Sequence, residues 1–336
     1  MGERVLVTGA SGFLGGVVVD DLRAHGHDVV AAGRRADALP AGVEAFVGDL
    51  DALGVAPLRV DAVVHCAALS SPWGRWSDFE HANVTGTRRV LDLARRAGAR
   101  RLVHVSTPGV YAAPRDRLGL REHDVAPRPM NHYIRSKLEA ERLLLGTTSG
   151  SVGDGPRPGT AGPEVVVLRP RGIVGAGDPS LVPRLLRVHD RVGVPLFDGG
   201  AGLVDLTSVE NVALAVRLAL EAPGDVVDGE ALNVSNGDPR PFRAVLEQLL
   251  RGLGVEPRTR RLPTRPVTAL AGLLEAVCGV LPGLPEPPVT RYTVTTIAHS
   301  QTLDLSKARR LLGYAPVVSL DESLASYATG GAGPRG

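Results

Sequence analysis

Gly9, Gly12 and Gly15 in "LVTGASGFLG" have the spacing of a loop that cradles a dinucleotide. A pyrophosphate is held by backbone N–H groups and the positive end of a helix, and a β-carbon at the closest point would block that approach. Ser11, Gly12, Phe13 and Leu14 are the loop residues that would face the phosphates. The bland alternative is a tight turn, but here the glycines follow a β-rich run and open a helical one, the context such a loop requires. About twenty residues on, an NAD site would offer a carboxylate to the ribose 2′-hydroxyl, whereas this chain reads "AAGRRAD". Arg34 and Arg35 suit a 2′-phosphate, so NADP(H) is favoured over NAD(H), although Asp37 lies nearby and loop-tip arginines are often only solvated charge.

The elements that must position this loop alternate between two periods. "RVLVT", "HDVVAA", "AFVGDL", "DAVVHCAA" and "RLVHVST" read as strands, separated by helices such as Phe13 to Ala24 and Asp78 to Ala97. This βαβ rhythm predicts an α/β fold: a Rossmann-type doubly wound parallel sheet with a smaller C-terminal α/β substrate domain. "NHYIRSKLEAERLLL" is a further helix and "EVVVLRP" a sixth strand. The Gly/Pro/Ser/Thr-rich residues 147–163 between them read as a mobile surface insertion. The expected division is a cofactor domain over 1–178, a mainly substrate-binding domain over 179–328 with segments returning to the main sheet, and a disordered tail over 329–336. "AVLEQLLRGLG" is the clearest helix of the second half.

Composition narrows the function classes. A formal net charge of +2 gives no global field for nucleic acid. Cys66 and Cys278 form no CxxC pair and no metal-type cluster with the histidines, which suits free thiols, no metal and a reducing cytoplasm. "ERVLVTG" reads as a strand, with no basic and apolar leader before it. Pro266 to Pro285 is nearly apolar, yet it holds Glu275 and is interrupted by prolines, so a buried or substrate-covering helix is expected rather than stable membrane insertion.

"TGASGFLG", "GDL" at Gly48 to Leu50, "HCAA" at His65 to Ala68, "NVTGT" at Asn83 to Thr87, "VSTPGVY" from Val105, "YIRSK" from Tyr133 and "LRPRGIVGAGD" from Leu168 occur in one order. In this set the chain resembles the extended short-chain dehydrogenase/reductase family along nearly its whole length. "WGRW", "STPGV", "NHYIRSK", "EPPVTRYTV" and "LDLSKARRLLGYAP" resemble its 3β-hydroxysteroid dehydrogenase branch, especially bacterial reductases of 2-alkyl-3-ketoalkanoates.

The resemblance implies roles. Tyr133 and Lys137, four apart on one helix face, become a general acid/base and the ammonium that, together with the cofactor's positive nicotinamide, favours its phenolate and also holds the ribose. Thr107 becomes the hydroxyl that polarises the substrate oxygen, with Ser106 the alternative. Asn83 would kink its helix and hold a water behind the lysine. Asp49 and Leu50 would contact adenine, Ala67 and Ala68 would line the cofactor, and Pro170 and Ile173 would flank the nicotinamide. The family also implies a homodimer built on the helices Asp78 to Ala97 and Asn131 to Leu145.

For the substrate, Trp73 and Trp76 either wall an apolar pocket or contribute one ring to the core. With the apolar run Val267 to Leu281 they favour a greasy β-keto or hydroxy substrate for a ketone reductase or secondary alcohol dehydrogenase. Arg251, Arg258, Arg260, Arg261 and Arg265 suit a diphosphate or a solvated face, which keeps a nucleotide-sugar epimerase, dehydratase or 4-ketoreductase as the alternative. A non-catalytic cofactor-binding protein is the third reading.

Overall fold

A computed structural model of the chain describes residues 2–146 and 162–329. The insertion expected over 147–163 and the tail expected over 329–336 therefore lie almost wholly outside the described residues. The main sheet contains β1 (Arg4–Thr8), β2 (Asp28–Gly33), β3 (Glu44–Val47), β4 (Ala62–His65) and β5 (Arg101–Val105), joined by strands Glu164–Pro170 and Glu230–Val234. Across the sheet the order is Glu230–Val234, Glu164–Pro170, β5, β4, β1, β2, β3, and every neighbouring pair is parallel.

Helices on both faces explain why the central strands are continuous apolar runs rather than alternating ones. Val5 and Val7 of β1 join the cluster formed with Val18, Leu22 and Val216, while Leu6 joins Leu53, Val90 and Leu93 on the opposite face. The chain builds outward from β1 to β3 and then returns to place β4 on β1's other side. That reversal opens a crevice at the carboxyl ends of β1 and β4, where ligands of such sheets bind. The expected sixth strand, Glu164–Pro170, is present, and a seventh, Glu230–Val234, pairs with it from beyond residue 178.

Helix α1 (Phe13–Ala24) starts where expected. The expected Asp78 to Ala97 helix begins at Trp76 and passes through wider π-helical turns over Glu80–Thr85 before Gly86–Ala97. Gly98 ends it with φ +76°, a conformation glycine adopts without strain. His132–Leu145 is capped by Asn131, whose Oδ1 accepts the Ile134 N–H at 2.8 Å. A smaller sheet of Arg117–Leu120, Leu203–Val204, Arg240–Pro241 and Gln301–Leu303 lies apart from the main one, and Phe242–Gly252 forms the helix read from "AVLEQLLRGLG".

Of the two states expected for the apolar segment, a buried or a substrate-covering helix, full burial is not what forms. The segment forms helix Thr264–Val280, but only Ala271 is fully buried. The helix packs on Arg291–Ala298, and its residues Leu270, Leu273, Val277 and Val280 stay exposed among the described residues. Among the described residues no helix is long and apolar enough to cross a membrane.

Candidate active site

The glycine loop follows β1 at the crevice. Gly9 has φ +71°, and a β-carbon there would stand 2.8 Å from the Ala67 backbone nitrogen, so this glycine closes the turn and lets the loops after β1 and β4 touch. A β-carbon on Gly15 would lie 2.1 Å from the Gly9 carbonyl oxygen, which ties α1 tightly to the turn. Gly12 is the residue before α1 and supplies no side-chain cap, leaving the first helical N–H groups for a ligand. These features fit a dinucleotide pyrophosphate. At the end of β2, a β-carbon on Gly33 would meet the Ser11 Oγ at 2.8 Å; Arg34 and Arg35 follow, both exposed.

The other cofactor candidates take varied positions. The Asp49 carboxylate caps helix Leu50–Gly54 by accepting from Asp51 and Ala52 N–H groups at 3.0 and 2.8 Å, and Leu50 packs over Gly86. Ala67 donates its N–H to Thr8 Oγ1 at 3.3 Å, and Ala68 is exposed beyond it. Pro170 is buried at the carboxyl end of its strand, while Ile173 is partly buried and pairs with Thr207.

Tyr133 and Lys137 share a face of His132–Leu145, as their spacing requires. The Tyr133 phenol is held above its usual range, first by burial and then by the neighbouring Tyr292, while hydrogen bonding with Ser70 and Thr107 pulls the other way. The Lys137 Nζ donates to the Val105 carbonyl at 2.7 Å and meets His104 Nε2 at 3.1 Å. The downward pull expected of this ammonium is its joint effect with a bound nicotinamide. Burial lowers the Lys137 ammonium to about 8, against opposing pulls from Glu141 and Cys66. Thr107 Oγ1 accepts the Gly109 N–H at 3.1 Å. Ser106 Oγ, one residue earlier, is buried with no partner among the described residues.

Asn83 lies within the π-helical turns and is buried. Its Nδ2 donates to the Leu69 carbonyl at 3.1 Å and to Ser136 Oγ at 2.8 Å, and its Oδ1 accepts the Leu69 N–H at 2.7 Å. Ser136 in turn donates to the Tyr133 carbonyl at 2.8 Å. The amide thus joins the loop after β4 to the helix of Tyr133, and does not reach Lys137 directly. Neither tryptophan enters the core. Trp73 donates its indole N–H to the Leu284 carbonyl at 3.3 Å, and Trp76 stacks beneath the Arg135 guanidinium at 3.8 Å.

Residues 5–235 match the model of the NAD dependent epimerase/dehydratase family. The chain belongs to this family. A 2-alkyl-3-oxoalkanoate reductase of Stenotrophomonas maltophilia is 34% identical over 331 residues, covering 96% of this chain and 97% of the relative. A decarboxylating sterol-4-alpha-carboxylate 3-dehydrogenase of Mus musculus is 30% identical, covering 96% of this chain and 89% of the relative. Among solved structures, MoeE5 in complex with UDP-glucuronic acid and NAD is similar at TM-score 0.73 and 26% identity, covering 97% of this chain and 98% of that one. The protein is an oxidoreductase of the extended short-chain dehydrogenase/reductase type, NAD(P)-dependent and in the 3β-hydroxysteroid dehydrogenase-like branch.

Within this epimerase/dehydratase-family site, the structure also brings together residues that motif reading missed. Ser70 and Tyr292 neighbour the Tyr133 phenol. His104 meets Lys137, and its ring lies 5.1 Å from that of His65, whose nitrogens bond Thr8 Oγ1 at 2.8 Å and Thr87 Oγ1 at 3.0 Å. Burial keeps both histidines well below their usual range, hence uncharged beneath the lysine. The sequence offered signals only for their strands: each histidine sits within an apolar run buried on both faces.

Proposed function

We propose that the protein is an NADP(H)-dependent ketone reductase or secondary alcohol dehydrogenase acting on an apolar β-keto or hydroxy substrate. The observation that carries this reading is the convergence of the Tyr133 phenol, on a helix whose next turn presents Lys137, with the Thr107 hydroxyl from the end of β5. The dinucleotide, when bound, supplies or accepts the hydride at its nicotinamide. Thr107 donates a hydrogen bond to the substrate oxygen and so favours negative charge there. Tyr133 gives its proton to that oxygen during reduction and takes one back during oxidation. Its raised pKa keeps the phenol protonated, the form a donor needs. Lys137 holds the ribose hydroxyls, and Asn83 positions the helix that carries both. Gly9, Ser11, Gly12, Phe13, Leu14 and Gly15 hold the pyrophosphate, Asp49 and Leu50 border the adenine, and Ala67, Ala68, Ser106, Pro170 and Ile173 line the remainder.

Gly33 at the end of β2, followed by exposed Arg34 and Arg35, supports NADP(H): no carboxylate stands at the strand end, and two guanidiniums are free to take a 2′-phosphate. Trp73 hydrogen-bonds to Leu284 just beyond the exposed apolar helix, and the apolar surface they share supports an apolar substrate. We further propose a homodimer through the helices of Asn83 and Tyr133. A second reading, a nucleotide-sugar enzyme, draws on the likeness to MoeE5 and on the exposed arginines of strand Thr259–Leu262. The test is consumption of NADPH and of NADH with a 3-oxo acid, a 3-ketosteroid and UDP-glucose. NADPH-dependent reduction of either ketone is expected, and conversion of UDP-glucose alone would transfer the case to the second reading.

A further inference from the structure

Arg171 is the first residue after strand Glu164–Pro170, at the carboxyl end of the sheet. It is only 7% exposed, yet it forms no ion pair with any described carboxylate. The one described acceptor of its guanidinium is neutral, Gln301 Oε1 at 2.6 Å from Nη1. Burial pulls its guanidinium below its ordinary range, and Tyr292 and Asp205, in that order, pull it back. Asp205 lies beyond ion-pair reach and gives its Oδ2 to the Leu303 N–H at 3.0 Å. The surroundings are under-satisfied as well: Gln301 Nε2 and Asp205 Oδ1 are buried with no partner among the described residues. A guanidinium withdrawn from water without a carboxylate is unfavourable, and planar, bidentate pairing with an anion is the geometry it best makes.

The neighbour that connects this cation to the chemistry is Tyr292. Its hydroxyl would stand 3.4 Å from a β-carbon on Gly109, the same point that lies 3.2 Å from Thr107 Oγ1. The strand that leads into Arg171 ends beside the strand that leads into Thr107: Val105 pairs with Leu168, and the Ser106 N–H donates to the Leu168 carbonyl at 2.7 Å. Arg171 and Thr107 therefore both leave the sheet at this edge, with the Tyr292 hydroxyl beside Thr107. The geometry points to an anion subsite: Arg171, assisted by the Tyr292 hydroxyl, takes the carboxylate of a 3-oxo or 3-hydroxy acid while Tyr133 and Thr107 attend its C3 oxygen. This deepens the proposed reductase reading and rests on it for the substrate class. It makes the acid, and not its ester or a neutral ketone, the preferred ligand, with the alkyl chain extending toward Trp73.

The experiment titrates the full chain, loaded with NADPH so that no hydride can be transferred from the alcohol, with 3-hydroxydodecanoate and with its methyl ester, in wild type, Arg171→Gln, Arg171→Lys and Tyr292→Phe. Wild type binds the acid at least about tenfold more tightly than the ester. Arg171→Gln weakens the acid by about 10- to 100-fold and the ester by less than about threefold, erasing the preference. Arg171→Lys, which keeps the charge and guards against a folding defect, retains part of that preference, and Tyr292→Phe weakens the acid by a smaller factor. Equal affinities for acid and ester in wild type, or a preference that survives Arg171→Gln, would overturn the subsite. Because binding is read without turnover, failure of ketone reduction would count against the reductase reading separately.

Discussion

The glycine loop makes a prediction in which two neighbouring methyl groups have opposite consequences. In Gly15→Ala the new carbon would stand 2.1 Å from the Gly9 carbonyl oxygen, 2.7 Å from its carbon and 2.9 Å from Ala10 Cα. These atoms are backbone, so no side chain can rotate aside, and the overlap exceeds roughly 1 Å against ordinary contact distances. Overpacking of this kind destabilises by about 3 kcal/mol, the upper part of its usual range. With roughly 2.1 cal/mol/K of unfolding entropy per residue over 336 residues, that lowers the thermal midpoint by roughly 4 °C. In Gly12→Ala the carbon meets only the Gly9 oxygen at 3.2 Å, and the backbone at φ −94°, ψ 168° is open to any residue. Reduced freedom of the unfolded chain offsets that mild crowding, so stability stays within about 1 kcal/mol. The methyl nevertheless stands where the pyrophosphate must approach the uncapped N–H groups of α1, and NADPH binding falls by about 10- to 100-fold. Thermal melts of the unliganded variants and NADPH fluorescence titrations separate the two effects. An unchanged midpoint for Gly15→Ala, or normal NADPH affinity for Gly12→Ala, would refute the reasoning.

Three further outcomes are expected. Replacing Arg34 and Arg35 together by alanine weakens NADPH by about 2–4 kcal/mol and leaves NADH nearly unchanged; equal loss of both cofactors in paired titrations speaks against the 2′-phosphate assignment. Because burial lowers Lys137 to about 8, its ammonium is present below that pH and lost above it, so NADPH affinity of the free protein declines as pH rises from 7 to 9. A flat titration across that window contradicts the ribose-holding role. Light scattering at micromolar concentration should return twice the chain mass, and a monomer would remove the homodimer through the helices of Asn83 and Tyr133.

Much of the cofactor half was legible because its signals are local. The strands β1, β4 and β5 are short apolar runs buried on both faces, and α1 begins at the glycine that leaves it uncapped. What escaped depends on tertiary placement. Strand Glu230–Val234 is short and takes its position from pairing with Glu164–Pro170, which no local pattern announces. The π-helical turns around Asn83 are held by Leu69 and Ser136, one outside the helix and one on another. The apolar run from Val267 to Leu281 could be read only as buried or substrate-covering, because composition registers hydrophobicity without registering which face finds a partner. Arg171 and Tyr292 carry no spacing that relates them to Tyr133; the fold alone brings them together.

The most direct test of the central claim, that Tyr133 moves the proton in a nicotinamide-dependent reduction, is Tyr133→Phe assayed for both NADPH affinity and turnover of an accepted 3-oxo acid. The substitution keeps the ring and removes only the hydroxyl beside Thr107 and Ser70. Turnover should fall by roughly 10²–10⁴ while NADPH affinity stays within about threefold. Near wild-type turnover in Tyr133→Phe would contradict the account.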